Sequence, residues 1–494
     1  METLELQIAD PETVAKYEAV IGLEVHVQLK TKTKIFSGSS HEFGNPANTQ
    51  TDPVVLGLPG ALPVLNREAV AQGVRASLAI NCEVNRKSVF ARKNYFYPDL
   101  PKGYQISQFD EPLAEHGWLE VDLEDGSTSR IDITRLHLEE DAGKNIHDGF
   151  SDSREYSYVD LNRAGAPLAE IVSEPCIRSA EEAQAYLTAL KQILEFAGVS
   201  DCDMEKGQLR CDANVSVRPH GQQELGTKAE IKNLNSFRFV RMAIDYEIAR
   251  QVAVIESGGR VIQETRLYNV ATGETVSMRS KEEAHDYRYF PEPDLPPLIV
   301  SDEWKEELAA SMPEMPRAKR RRFVEQYGLS EYDAQVLSLA HETAEYFEEA
   351  AGVSGDAKAT ANWVQGDLMG ALKAADKQIN ESPISAADLG ELVKLIGDGT
   401  LSGKLAKEVF SKMFDSGSSA AEIVEAEGLK QISDTGELES IIADIVAKSA
   451  KQVEQYRGGK TGVIGYFVGQ VMKATRGQAN PKVVNELLRK QLDG

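Results

Sequence analysis

Residues 18–29 read Glu-Ala-Val-Ile-Gly-Leu-Glu-Val-His-Val-Gln-Leu, with apolar and polar side chains in alternation. Alternation with a period of two predicts a strand that turns Leu23, Val25, Val27 and Leu29 to a core. Glu24, His26 and Gln28 then share the opposite face. A carboxylate and an imidazole two residues apart on one strand face can grip one cation, or work as acid and base. An ordinary half-buried strand with a solvated face gives the same alternation. Recurrence of the pattern favours the chemical reading.

The second run is residues 209–218, Leu-Arg-Cys-Asp-Ala-Asn-Val-Ser-Val-Arg, with Arg210, Asp212, Asn214, Ser216 and Arg218 on its polar face. After a Pro-His-Gly-Gln turn region the alternation resumes, and Lys228, Glu230 and Lys232 share a side. The two runs predict an antiparallel hairpin with a long loop. Carboxylates, amides and bases on one sheet face suit a metal-bound phosphate substrate: acids hold Mg²⁺ while Lys and Arg neutralise phosphate oxygens.

The 494 residues allow roughly two to four domains, each able to bury a core. No basic-then-apolar leader and no long apolar run occurs, so a soluble protein outside the membrane is expected. Cys82, Cys176, Cys202 and Cys211 fit no metal-ligand spacing and read as reduced, buried thiols of a cytoplasmic protein. A net charge of −24 argues against a protein that coats nucleic acid non-specifically, though it leaves room for local basic patches.

The first 295 or so residues are short alternating runs punctuated by Gly, Pro, Asn and Asp. One helix is clear within them: Ser179 and Glu182 form a capping box, and a stripe from Ala183 to Ala197 ends at Gly198. Residues Pro291 to Pro297 read as a stiff linker and domain boundary. Beyond them the composition turns to Ala, Glu, Lys and Leu at helical spacing, as in Asp333–Ala350, Ser385–Ile396 and Gly403–Phe414, with a weaker boundary near 400–415. The chain is therefore expected to be α+β.

Residues 92–108 concentrate Lys93, Lys102, Tyr95, Phe96, Tyr97 and Tyr104 in a loop or strand edge where prolines forbid a regular helix. The lysines suit phosphate, and the aromatics either stack on a base or ribose or pin the loop to the core. Near a strand end Glu139, Glu140 and Asp141 stand in a row. Gly459-Lys460-Thr461 is no phosphate-binding loop, because Glu454 occupies the position of the required first glycine. No Gly-x-Cys-x-Gly elbow and no Ser-Ser-Lys amidase set occurs, which argues against glutamine hydrolysis by this chain.

Four N-terminal motifs now carry a resemblance: Gly22-Leu-Glu-Val-His-Val-Gln-Leu29, Arg92-Lys-Asn-Tyr-Phe-Tyr-Pro98, Gly103-Tyr-Gln-Ile-Ser-Gln108 and Leu136-His-Leu-Glu-Glu-Asp-Ala-Gly143. With Asp286-Tyr-Arg-Tyr-Phe-Pro-Glu-Pro-Asp294 and the tail motif from Gly465 to Pro481, the chain resembles the B subunits of bacterial aspartyl/glutamyl-tRNA(Asn/Gln) amidotransferases over nearly its whole length. The resemblance implies a mixed-sheet cradle domain similar to glutamine synthetase and guanido kinases (1–297), a helical domain (298–414) and a small helical tail (415–494). It implies ATP-dependent phosphorylation of Glu or Asp misacylated on tRNA(Gln) or tRNA(Asn). Ammonia from a separate A subunit then displaces phosphate, and a small C subunit completes a heterotrimer.

By this resemblance Glu24, His26 and Glu140 look like Mg²⁺ ligands, with Glu139 as the alternative to its neighbour and Asp212 and Glu205 as a second acidic set. Lys93 and Lys102 are candidates for phosphate or acyl-phosphate stabilisation, and Arg210, Lys232 and Tyr95 for nucleotide contact. Many relatives bind zinc through Cys-Pro-x-Cys where this chain has Asp52 and Val55, so no zinc is expected. In the tail, residues 457–490 hold seven bases, Arg457, Lys460, Lys473, Arg476, Lys482, Arg489 and Lys490, against one acid, Glu486. That reversal in an acidic chain is the footprint of phosphate contact, although a solvated helical face gives the same charge run. Two other functions fit less well. A pure tRNA scaffold needs no acidic sheet face, and a small-molecule amide ligase needs no basic tail.

Overall fold

The computed structural model describes residues 8–280, 286–428, 435–475, 479 and 481–493. The chain divides into two compact units, residues 1–315 and 316–494. A nine-stranded sheet organises the first. Its strands run in the spatial order Glu274–Ser280, Glu264–Asn269, Ala229–Lys232, Leu209–Pro219, Tyr17–Gln28, Pro167–Ser173, Thr128–Glu140, Ala114–Asp122 and Glu83–Val84. Neighbours are antiparallel except Ala229–Lys232 beside Glu264–Asn269, so the sheet is mixed. Strands followed by helices make the chain α+β, as the succession of periods predicts.

Tyr17–Gln28 lies at the centre of this sheet. Leu23, Val25 and Val27 are wholly buried and Glu24, His26 and Gln28 are half-buried, so the alternation sorts the two faces as expected. The expected hairpin forms too, with Ala213 paired to Ile231 and Asn214 to Glu230. The apolar face is covered by helices Arg67–Ala79, Ala180–Phe196 and Phe237–Glu256, which share one core cluster with the strands. Ser179 caps the second of these through Glu182 N at 3.0 Å.

The Pro-rich segment read as a linker is instead stitched to the first unit. Phe290 and Pro291 pair with Arg92 and Ala91, and Leu298 and Ile299 pair with Ser88 and Lys87. Arg92 grips Glu292 bidentately, Nε to Oε2 at 2.7 Å and Nη2 to Oε1 at 2.8 Å. Val300 and Leu308 join the first core, and the division between units follows Met315.

The second unit is helical throughout its described residues. One apolar cluster gathers residues from Phe323 to Val424, and another gathers Leu438, Ile442, Phe467, Val471, Ala479, Val484, Leu488 and Leu492. Helix Ala420–Glu427 contributes Ala420, Ile423 and Val424 to the earlier cluster, beyond the expected start of the tail. The predicted Asp333–Ala350 run is two helices, Glu331–Leu337 and His341–Ser354. Among the described residues no helix is long and apolar enough to cross a membrane.

Candidate active site and metal centre

Register across the sheet builds the site. His26 stands opposite Glu170 on one side and Arg210 on the other, and Glu170 stands opposite His137 on the next strand. These four side chains form one row on the polar face, and Glu139 reaches into it from two residues further along. His26 Nε2 lies 3.3 Å from Glu170 Oε2 and 3.5 Å from Glu139 Oε1. His137 Nε2 lies 3.3 Å from the same Glu170 oxygen and 3.8 Å from Glu139 Oε2. One donor atom each from His26, Glu139 and Glu170 lies within 4.8 Å of the other two. One imidazole nitrogen and two carboxylate oxygens so disposed fit a divalent cation that keeps further positions for phosphate oxygens.

The electrostatics favour an ionised centre. Glu139 and Glu170 are only 2% and 7% exposed. Burial pushes Glu139 up, but the hydrogen bond from His137 and the charges of His26 and Lys93 outweigh it and hold the carboxyl below its usual range. Burial likewise opposes Glu170, and His137 and His26 hold it lower still. Burial lowers Lys93, whereas Glu139 and other nearby groups raise it by more, so the ammonium is secured beside the acids. Lys93 Nζ also sits 4.9 Å from the centre of the Tyr287 ring.

Adjacent residues on a strand point to opposite faces, and this separates Glu140 from Glu139. Glu140 Oε1 takes hydrogen bonds from Lys102 Nζ and from Ile106 N, the latter at 2.8 Å, and both members of the ion pair are buried. Glu140 and Lys102 are thus brought to each other and not to the His26 group. Glu24 lies outside that group as well, accepting from Asn214 Nδ2 at 2.9 Å. Tyr95 is pinned by its hydroxyl to Gln105 Oε1 at 3.0 Å and faces Tyr97 and Tyr287 edge-on.

Of the remaining candidates, Glu205, Arg210 and Asp212 line a cavity of about 1240 Å³ beside the row, and Lys232 is tied to it through Asp212. Asp212 enters it paired to Lys232 at 2.5 Å, and Arg210 enters it paired to Asp141 at 2.6 Å. Arg163 shares Asp141 at 3.3 Å. Glu205 lies on its rim, exposed in a turn closed by its own N–H to Asp203 Oδ1 at 2.9 Å. Lys144, Lys206 and Arg163 add cations to a wall that also carries Glu42, Asp160 and Asp201, a mixed lining suited to a polyphosphate bound with a divalent cation. Gly143 makes the bend after Glu140 possible, because a Cβ there would lie 2.9 Å from the carbonyl oxygens of Asp99 and Asp160.

Sequence reasoning missed Glu170, His137 and Arg163, and gave Asp141 no role beyond its place in the row of three acids. The signal for Glu170 was present: a single acid inside the apolar run Pro167-Leu-Ala-Glu-Ile-Val-Ser173, where a buried charge needs partners.

A buried acid–imidazole centre next to a cavity lined by both bases and acids defines the class as an enzyme site built on a mixed sheet. Two family profiles match the chain, "GatB/GatE catalytic domain" over residues 19–306 and "GatB domain" over residues 345–492. The B subunit of the aspartyl/glutamyl-tRNA(Asn/Gln) amidotransferase of Carboxydothermus hydrogenoformans is 57% identical over 477 residues, covering 97% of this chain and 99% of that protein. The B subunits of the same name from Geobacter sulfurreducens and Pseudomonas syringae are 57% and 55% identical, each over 97% of this chain and 100% of their own length. The chain belongs to the GatB/GatE family.

Proposed function

We propose that this chain carries out the ATP-dependent phosphorylation and amidation of Glu or Asp misacylated on tRNA(Gln) or tRNA(Asn), as the B subunit of an amidotransferase. The observation that carries this reading is the convergence of His26, Glu139 and Glu170 donor atoms within 4.8 Å, next to a cavity whose wall carries Arg210, Arg163 and Lys144. These three would hold Mg²⁺, which when bound supplies charge neutralisation at the transferring phosphoryl group. Arg210, Lys232 and Arg163 would orient ATP phosphates, with Asp212, Glu205 and Glu24 as further acids around the nucleotide. Lys93 is aimed at the acyl end, where it would stabilise charge on the substrate carboxylate and then on its acyl phosphate. In the first step a carboxylate oxygen attacks the γ-phosphorus and the bond to ADP breaks. In the second, ammonia attacks the acyl carbon, the C–O bond to phosphate breaks, and the amine gives up a proton.

A glutaminase A subunit would supply the ammonia, and a C subunit would complete a cytoplasmic heterotrimer. The mixed sheet is read as the cradle of glutamine synthetase-like enzymes, followed by helical and tail domains that present tRNA. Lys102 is reassigned from phosphate to a supporting pair with Glu140, and Tyr95 to support of the loop. No zinc is proposed, because Asp52 closes its turn through Ser39 Oγ at 2.6 Å and the N–H groups of Val54 and Val55 at 2.9 and 3.0 Å. The test is single-turnover chemistry in the assembled complex. His26→Ala should abolish ADP formation dependent on misacylated tRNA while glutamine hydrolysis persists. Amidation at the wild-type rate would sink the assignment.

A further inference from the structure

Beside the acid centre, and outside the lining of the cavity, two aromatic rings lie flat on each other without an assigned role. Phe109 and Tyr289 stack with centroids 4.2 Å apart and planes 3° from parallel, and Phe109 is 52% exposed. Tyr287 stands edge-on to Tyr289 at 6.0 Å and carries Lys93 Nζ on its own face. The pair is held rigidly from both ends. Asn94 donates its backbone N–H to Tyr287 O at 2.9 Å and its side-chain amide to Arg288 O at 2.9 Å. Ahead of Phe109, buried Gln108 accepts from Leu113 N and Leu138 N at 3.1 and 2.9 Å. Ser107, whose hydroxyl donates to Glu139 at 3.2 Å, precedes Phe109 by two residues, about 7 Å along an extended chain. Arg288 projects from the same segment, its side chain 82% exposed.

We propose that Phe109 and Tyr289 form a stacking platform for the terminal adenine of the aminoacylated tRNA. This deepens the proposed function and rests on it. A flat ring pair with Phe109 facing solvent and Tyr289 half-buried behind it matches the π-face of a base, and stacking of this kind needs no base-specific hydrogen bond. The choice of occupant follows from the two flanks of His26. The cavity that Arg210 enters, with Arg163 and Lys144 also in its wall, is the place proposed for the triphosphate, and Lys93 is not part of its lining, so the carboxylate substrate and the nucleotide it is esterified to enter on the Lys93 flank. Arg288, which shares an exposed pair with Asp286 at 3.4 Å, would exchange it for the phosphate that precedes the terminal adenosine.

The experiment uses the assembled amidotransferase and a misacylated tRNA. The Phe109→Ala, Tyr289→Ala double variant should raise KM for that tRNA about tenfold, with KM for ATP within about twofold of wild type. Phe109→Tyr and Tyr289→Phe, which keep the rings, should stay near wild type. With 2-aminopurine as the terminal base, binding should quench fluorescence in wild type and far less in the double variant. A rise confined to KM for ATP would hand the platform to the nucleotide's adenine and overturn the proposal. Unchanged KM values and quenching would overturn it as well. Failure of the underlying function is separate: the wild-type complex would then show no ADP formation dependent on misacylated tRNA.

Discussion

Glu139 and Glu140 differ by one position and live in different electrostatic worlds. Glu139 is surrounded by His26, His137 and Lys93, whereas Glu140 is paired with Lys102, whose side chain is buried. Removing one member of a buried pair strands the other charge, at a cost of about 3–5 kcal/mol. Glu140→Gln should therefore lower thermal stability by several degrees, and Glu139→Gln should abolish phosphorylation with a smaller loss of stability. Equal melting shifts in calorimetry would refute the distinction. Lys34 offers a pH test. It is wholly buried, with Nζ donating to Gln50 O at 2.6 Å, and burial pulls its pKa from 10.5 to about 8. Above that pH the folded protein sheds this proton while the unfolded chain keeps it up to about 10.5, so raising the pH through that window favours folding. The difference is on the order of 3 kcal/mol. Lys34→Met should remove that rise, as read by denaturant unfolding at pH 7 and pH 10. A third measurement is elemental: with Asp52 and Val55 in place of thiolates, purified protein should contain no stoichiometric zinc, and one equivalent retained through chelation would contradict this.

Single elements show what the sequence discloses and what it withholds. The segment from Asp286 to Asp294 is fastened by the Arg92–Glu292 pair, in which Glu292 has no exposed side-chain surface. Glu292→Ala should release this segment and raise its rate of proteolytic cleavage several-fold over wild type, a change read by mass spectrometry. From sequence alone the same residues pass for a linker, because the prolines are visible and the ion pair to Arg92 is not. The strand at 18–29, the hairpin at 209–232 and the helix after Ser179 were legible, since period and cap lie within one window. Helix Arg67–Ala79 was not, because nine of its thirteen residues are buried and no polar stripe marks its period. Helix Phe237–Glu256 opens with Phe-Arg-Phe-Val-Arg, a run that favours strands. His26 could be picked out locally, but its partners Glu170 and His137 arrive through register between distant segments. The apolar run around Glu170 shows at short range that this acid needs a partner, but only pairing between distant segments decides which one it meets.

At the scale of the whole molecule the charge distribution divides the labour. Lys460, Lys473, Arg489 and Lys490 are exposed in the tail, while Arg457 donates to Leu492 O at 3.1 Å and so also serves the tail's own packing. Arg476 lies outside the described residues, as does the side chain of Lys482. Deleting the expected tail, residues 415–494, should raise KM for misacylated tRNA and flatten its salt dependence. Because Ala420, Ile423 and Val424 belong to the earlier helical core, a cut after residue 428 should give the same kinetics with less loss of stability. Unchanged tRNA affinity in either truncation would return the tail to a structural role.

The three cation-ligand candidates come from strands with neighbours on both sides, near the middle of a nine-stranded sheet. Fraying begins at margins and loop tips, so partial opening leaves this constellation whole. Heat should therefore extinguish phosphorylation and the sheet's circular dichroism along one curve, once the rate is corrected for its own rise with temperature, and the corrected rate then counts the molecules that remain folded.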